Sequence, residues 1–338
     1  MAPSATEQTD VTYEDLIQLE QEFEDADLQI IRQQYKITQP LYSKRQDLVA
    51  KLPNFWALVL EQVPPEVDQF IQPSDSHIFA ECLQSIEVTR FEIDDPAGSP
   101  RSFAVKFGFG KNEYFDNEVL EKKFWYRRSL DGWSGLVSEP VKINWKKGKD
   151  TTDGLTDAAV ELFEARQKLS AQDLKTKFKK LPEYKNVIKK MELSEEGTQS
   201  FFSWFGFASV RPYVSAEESA QATKKEAEER IKRAKGEKVE QEKEEEEEDG
   251  VDFFEESEIF PAGDELATLI AEDIWPNAIK YFTSAQEADD EDLSSIEDDG
   301  EWGSDDDGEP VDIRSLVKGK GNKEKNGESS PPAKKRRT

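Results

Sequence analysis

The sequence predicts an α+β protein with a long N-terminal helix, a domain with a four-stranded antiparallel sheet covered by helices, and a disordered acidic tail. Residues 11–51 repeat apolar side chains at helical spacing. Residues 85–146 contain short alternating segments separated by turn sequences, which is typical of antiparallel strands. The chain has a net charge of -28 but also 20 Phe and 7 Trp, so we expect a folded core together with solvated acidic segments.

The N-terminal segment, residues 11–51, predicts one helix with an apolar seam. Apolar residues recur every seven positions from Leu16 to Ile37, as at the a and d positions of a coiled coil. Pro40 lies inside the pattern and is expected to kink or break the helix. A helix this long would span roughly 60 Å and needs a partner, either its own domain or a second copy, which we favour. We assign dimerisation to the seam residues Leu16, Leu19, Phe23, Ile30 and Ile37.

Four segments predict the antiparallel sheet. Residues 102–110 alternate cleanly, and residues 86–93 precede them across the turn DDPAGSP, which predicts a hairpin. Residues 119–128 predict the third strand. The turn LDGWSG then leads to VKINW, residues 141–145, which we assign as the fourth strand.

Helices are predicted to cover this sheet. Helical spacing resumes at Leu155, and a basic helical stretch over residues 174–191 is interrupted at Pro182. The aromatic segment SFFSWFGF, residues 200–207, must be buried. The segment DELATLIAEDIWPNAIKYF, residues 264–282, closes the folded part.

The charge is concentrated near the end of the chain. Residues 237–258 contain 13 acidic and 2 basic residues, and residues 287–312 contain 14 acidic residues and no Lys or Arg. Such runs repel themselves and stay solvated. They are either tails that confer solubility or a polyanionic surface for a basic partner.

The last residues, PAKKRRT, form a compact basic cluster that predicts nuclear import, with a nucleic-acid-binding tail as the alternative. We assign import to Lys334, Lys335, Arg336 and Arg337, and expect the protein in the nucleus, with exchange to the cytoplasm left open. A nuclear polyanion favours a basic nuclear partner, and histones are the abundant ones. Net negative charge argues against DNA as the main ligand, because phosphates would be repelled.

The composition gives no case for an enzyme. The chain has one histidine, His77, and one cysteine, Cys82. A Ser-His-Asp or Cys-His site would have to use His77, and no nucleophile elbow lies near it. Zinc sites of the usual Cys/His forms are excluded. No P-loop is present, and we expect no cofactor. No segment approaches the ~20 apolar residues of a membrane span, and the N-terminus lacks the features of a secretory signal.

Several motifs in one order resemble the nucleosome assembly protein family, and are most similar to its SET-type branch. They are PNFW after a long helix, NEYFDNEVLEKKF, INWKKGKD, SFFSWF and DELATLIAEDIWPNAIKYF. The resemblance implies a homodimer whose long helices pair antiparallel, each chain carrying an α+β "earmuff" domain. It also implies a non-catalytic histone chaperone that binds core histones through an acidic face and tail and promotes ATP-independent nucleosome assembly.

The resemblance sets domain boundaries. We expect a disordered N-terminus over residues 1–10, the dimerisation helix over 11–51, the earmuff domain over 52–283 and a disordered tail over 284–338. The SET-type branch has only a few residues where this chain has a charged insert, about residues 207–260. The region before the insert is also longer and more basic than in that branch.

The resemblance also implies site residues. Tyr114, Glu272 and Asp273 fall where the branch binds histones, and the tail extends that surface with Asp289, Asp290, Glu291 and Asp292. From the residues alone, Tyr114 could equally be a core aromatic, and the acid pair could be exposed and solvated. A weak contact with double-stranded DNA is a further implication. The alternative function is regulation of a protein phosphatase or histone acetyltransferase. No motif in the sequence establishes either activity.

Overall fold

The computed structural model describes residues 11, 13–193, 199–209, 214–234 and 256–296. It has the predicted α+β fold. The α-helices are α1 (Tyr13–Val49), α2 (Phe55–Glu61), α3 (Pro65–Asp68), α4 (Pro73–Cys82), α5 (Leu155–Gln167), α6 (Ala171–Lys177), α7 (Pro182–Leu193), α8 (Ala216–Ala234), α9 (Gly263–Leu269) and α10 (Ala278–Ile296). The strands are β1 (Leu83–Thr89), β2 (Phe103–Phe109), β3 (Val119–Arg128) and β4 (Ser134–Ser138).

Helix α1 has 37 residues and contains Pro40 in its interior. The helix is therefore continuous through Pro40, so of the two predicted outcomes, a kink or a break, the break does not occur. Two separate apolar stripes run along the helix. One is half-buried against the rest of the chain and ends in the buried residues Arg45 and Val49, and the other, which includes Phe23, is exposed.

The sheet is antiparallel, in the strand order β1-β2-β3-β4. β2 and β3 confirm the predictions, whereas β1 covers residues 83–89 in place of the predicted 86–93. The assignment of residues 141–145 as the fourth strand is wrong. β4 is Ser134–Ser138, which pairs with β3 from Phe124↔Ser138 to Arg128↔Ser134. The VKINW segment makes only an isolated bridge between Phe115 and Trp145.

An aromatic core lies against one face of the sheet. Phe107 of β2 packs edge-on against rings of the 3-10 helix Phe201–Gly206, including Phe201 and Trp204. Every residue of that short helix is buried, which confirms the expectation for SFFSWFGF. The core thus joins the sheet to a segment about a hundred residues further along the chain (107 to 201).

A second, smaller core lies outside the main one. It is formed by α5, the 3-10 turn Phe178–Lys180 and α7, together with Ile259 from the end of the insert. We call this unit the second lobe, residues 155–193 with residues 256–260. The helix break at Pro182 is confirmed, since α7 begins at that residue.

The chain closes with α9, a π-helical turn (Ile270–Ile274) and α10. A turn at residues 275–277, which contains Pro276, separates the π-helical turn from α10. The disordered tail was expected to begin at residue 284. That boundary is wrong, because α10 continues to Ile296. Ala285 is fully buried, and Phe282 packs on Phe55 of α2 with ring centroids 4.8 Å apart. Residues 1–10 and 297–338, with the basic cluster, lie outside the described residues.

Candidate interaction surfaces

The exposed stripe of α1 contains all five predicted dimerisation residues. Leu16, Leu19, Phe23, Ile30 and Ile37 are each between 49% and 69% exposed. The stripe continues through Leu41 and Leu48, at 57% and 64%. At 100° per residue, all seven side chains fall within about 60° of helix rotation.

The step from Ile37 to Leu41 explains why the seven-residue pattern stops at the proline. A strict heptad drifts by about 20° per repeat on a straight α-helix. The four-residue step resets that drift, so the apolar face continues past Pro40 without supercoiling. Lys44, which takes the next heptad position, lies at the border of this face.

Tyr114 is half-buried in the loop between β2 and β3. Its hydroxyl donates to Glu81 Oε2 at 3.1 Å, and Lys149 Nζ lies 5.5 Å from the ring centroid. Burial, followed by the negative charge of Glu81, raises the pKa of Tyr114. Tyr114 therefore packs against the core and presents its edge to a surface of both charge signs.

Glu272 is an exposed acid on the π-helical turn. Its side chain is 61% exposed, and its Oε1 atom lies 3.5 Å from Arg90 Nη2. The Arg90 side chain is only 19% exposed, but the contact is long and Glu272 itself lies in solvent. The pair therefore contributes on the order of 1 kcal/mol or less, and Glu272 is accessible to another cation.

Asp273 has a different role from its neighbour. Its Oδ2 atom accepts a hydrogen bond from Tyr281 at 2.7 Å, and its Oδ1 atom accepts one from Asn277 Nδ2 at 2.8 Å. Burial, then the bond to Asp273, raises the pKa of Tyr281 to about 12. Asp273 therefore ties the π-helical turn to α10 across the Pro276 break.

The structure does not bring the predicted residues into one site. Tyr114 contacts Glu81, just before β1, whereas Glu272 contacts Arg90, just after it. A seven-residue strand spans roughly 20 Å. Asp289, Asp290, Glu291 and Asp292 lie in the C-terminal half of α10.

Among the buried charged groups of the described residues, Lys122 and Asp75 were missed by sequence reasoning. Lys122 is fully buried on β3, where its ammonium donates to the carbonyls of Phe207 at 2.7 Å, Glu139 at 2.9 Å and Phe205 at 3.3 Å. Burial lowers the pKa of Lys122 well below its usual value. The strand alternation did place Lys122 on the inner face between Leu120 and Phe124, which was the available signal.

Asp75 of α4 is the second missed residue. It accepts hydrogen bonds from Ser200 Oγ at 2.6 Å, Phe201 N at 2.7 Å and Gln72 N at 3.0 Å. Burial raises the pKa of Asp75 to about 6, and the three donors offset part of that rise. No sequence pattern linked this acid to the aromatic segment, since Asp75 and Ser200 are 125 residues apart.

Within the described residues, no group of three or more His, Cys, Asp or Glu side chains could hold a metal ion. None of the helices in the described ranges is both long and apolar enough to cross a membrane.

The model of the nucleosome assembly protein (NAP) family matches residues 12–285. The chain belongs to this family. The family resemblance inferred from the motifs is thereby confirmed, and membership agrees with the prediction that the protein is a chaperone-type protein and not an enzyme.

The matches to curated relatives cover most of the length of each relative. A putative nucleosome assembly protein of Schizosaccharomyces pombe is 29% identical over 295 residues, covering 83% of this chain and 84% of the relative. Protein SET of Drosophila melanogaster is 24% identical, covering 82% of this chain and 72% of the relative. Vacuolar protein sorting-associated protein 75 of Saccharomyces cerevisiae is also 24% identical, covering 80% and 76%.

Solved structures that match this chain include a Ccp1 mutant and the Vps75 histone chaperone. Ccp1 is 26% identical, with a TM-score of 0.46, and covers 82% of this chain and 97% of its own. Vps75 is 23% identical, with a TM-score of 0.48, and covers 80% and 97%. The family assignment rests on the family model and not on these superpositions.

Proposed function

We propose that this protein is a histone chaperone that acts as a homodimer in the nucleus, binds core histones and promotes nucleosome assembly without ATP. The family match over residues 12–285 is the observation that carries this proposal. The exposed apolar stripe on α1 supports the dimer, because a row of large side chains this long is costly to leave in water.

Charge along α1 supports an antiparallel arrangement of the two chains. Residues 13–27 contain seven acidic residues and no basic one, whereas residues 28–51 contain five basic residues and one acidic. Antiparallel pairing places the acidic half of one helix beside the basic half of the other. A two-fold axis near residue 32 would set Leu16 against Leu48 of the partner and Phe23 against Leu41.

The acidic surface supports the histone partner. Glu272 is exposed and only weakly paired, and α10 leads directly from the domain into the acidic run that begins at Glu287. We propose that the folded face fixes how a histone is held, and that the tail supplies attraction at longer range. That attraction should weaken with salt, since the Debye length is ~10 Å at 0.1 M. The weak contact with double-stranded DNA stays a prediction.

Removal of residues 297–338 tests this division of labour. The cut spares α10, whose residues Phe282 and Ala285 pack against the domain. We expect the truncated protein to bind a labelled core histone more weakly and with a flatter salt dependence, while its dimer mass is retained. Unchanged histone affinity at two salt concentrations would contradict the role of the tail.

A further inference from the structure

The two regions that depart from the SET-type pattern meet in the second lobe. Ile259, at the end of the insert, is 4% exposed within the core formed by α5 and α7. The Nε2 atom of Gln199 also donates to the carbonyl of Ile259 at 2.9 Å. The longer basic region and the end of the acidic insert are therefore parts of one folded unit.

An acid of the insert is already bound to the basic helix region. Glu256 accepts from Lys179 Nζ at 2.8 and 3.0 Å, and from the Tyr184 hydroxyl at 2.7 Å. Burial and the bond to Glu256 raise the pKa of Tyr184 to about 12. The segment that follows the acidic run is therefore attached to this surface at Glu256.

Two exposed lysines continue the surface along α7. An open groove runs from Glu256 past Tyr184, Lys185, Ile188 and Lys189 to Glu192. Lys185 and Lys189 are one helical turn apart, and neither has an acidic partner among the described residues. We call Lys179, Lys185 and Lys189 the lysine face.

We propose that the lysine face is the docking surface for the chain's own acidic run, residues 242–249 (EKEEEEED). Asp249 is seven residues before Glu256, a length of chain that can extend roughly 24 Å. Lys185 and Lys189 are about 6 Å apart along α7, so the run reaches both. The short tether gives the run a high effective concentration, which no separate polyanion has.

Docking would have a direct consequence for charge. The lysines of the second lobe and the carboxylates of the run neutralise each other, so neither is free for other ligands. A polycation that binds the acidic run would displace it from the lysine face and expose these lysines at the same time. The inference does not depend on the proposed function, because it concerns contacts within one chain.

The test uses the full-length protein and a glutamate-specific protease. Docking protects residues 242–249 from cleavage, and the double variant Lys185→Gln with Lys189→Gln removes two exposed ion pairs. At ~0.5 kcal/mol for each pair, cleavage in the run should become roughly fivefold faster. The control variant Lys142→Gln with Lys147→Gln makes the same charge change at exposed positions outside the lobe and should not alter the rate.

Zero-length carbodiimide cross-linking identifies the occupant. We expect links from Lys185 and Lys189 to carboxylates of residues 242–249, within one chain when isotope-labelled and unlabelled proteins are mixed. Links to residues 287–312, or between chains, would assign the lysine face to another segment and overturn the proposal. Equal cleavage rates in wild type, variant and control would overturn it as well.

Discussion

Arg45 Nη1 donates to the carbonyl of Trp275 at 2.5 Å, across 230 residues of sequence. The guanidinium also lies over the rings of Trp275 and Tyr42, 4.7 and 4.8 Å from their centroids. Arg45 is buried, and burial lowers the pKa of its guanidinium. This contact joins α1 to the segment that carries Glu272, so it fixes the position of the long helix relative to the π-helical turn.

Replacing Arg45 with methionine should lower the free energy of unfolding by roughly 2–4 kcal/mol. The variant leaves the carbonyls of Trp275 and Pro276 buried without their donor, which is the costly outcome for a hydrogen bond to a charged group. Urea denaturation at one fixed protein concentration measures the change. Lys36→Met, at an exposed position of the same helix, should stay within about 0.5 kcal/mol of wild type. Equal losses in both variants would refute the proposed role of Arg45.

Phe23→Asp should convert the dimer to a monomer. Phe23 is 65% exposed in the single chain, and the two-fold axis would bury two aspartates in the seam. Light scattering should then give the mass of one chain. Gln29→Asp adds the same charge on another side of α1 and should leave the dimer mass unchanged. A dimeric Phe23→Asp protein would show that another surface holds the chains together.

Cysteine pairs test the direction and register of the helices. Leu16→Cys protein mixed with Leu48→Cys protein should form a cross-linked dimer with a short bismaleimide. Leu16→Cys alone should not, because positions 16 and 48 are roughly 48 Å apart along a helix. The native thiol, Cys82, is buried. Efficient cross-linking of Leu16→Cys to itself would indicate parallel helices.

Asp75 should make the unfolding free energy depend on pH. Its folded-state pKa is about 6, against an ordinary value of 3.8. A raised folded pKa means that the contribution is present below pH ~4 and is lost as pH rises through ~6. Relative to Asp75→Asn, wild type should therefore lose at most roughly 3 kcal/mol over that window. Urea denaturation at several pH values measures the difference, and parallel profiles would contradict the assignment.

Glu272→Gln and Asp273→Asn should have different effects. Glu272 is exposed, so its replacement should weaken histone binding while the free energy of unfolding stays within about 0.5 kcal/mol of wild type. Asp273 accepts two side-chain hydrogen bonds, so its replacement should lower that free energy by roughly 1–2 kcal/mol. Histone titration and thermal unfolding of both variants separate the two roles. A destabilised Glu272→Gln protein would contradict this division.

The sheet was predictable where alternation coincided with strand pairing. Apolar residues alternate over 103–109, and this segment forms β2, which pairs with β1 on one side and β3 on the other. Residues 141–145 also alternate, but the amide of Val141 donates to Phe205 O at 2.7 Å, and Ile143 is buried without a neighbouring strand. Alternation reports which side chains are buried, whereas pairing depends on backbone partners that a single sequence does not identify.

The candidate site was less predictable because it depends on long-range geometry. The motif around residues 272–273 suggested an acid pair, but only the π-helical turn and the Tyr281 contact show that the two acids face different surroundings. The seam of α1 was visible in the spacing of Leu16 to Ile37. Its extension to Leu48 was not, because a heptad template excludes the four-residue step.

The most direct test of the central claim is the mass of the protein by light scattering, alone and with purified core histones, at two salt concentrations. The chain is 38.6 kDa, so we predict a particle of about twice that mass that takes up a stoichiometric amount of histone and retains it at moderate salt. A monomer, or a histone load that disappears on modest addition of salt, would contradict a dimeric chaperone with a shaped binding face.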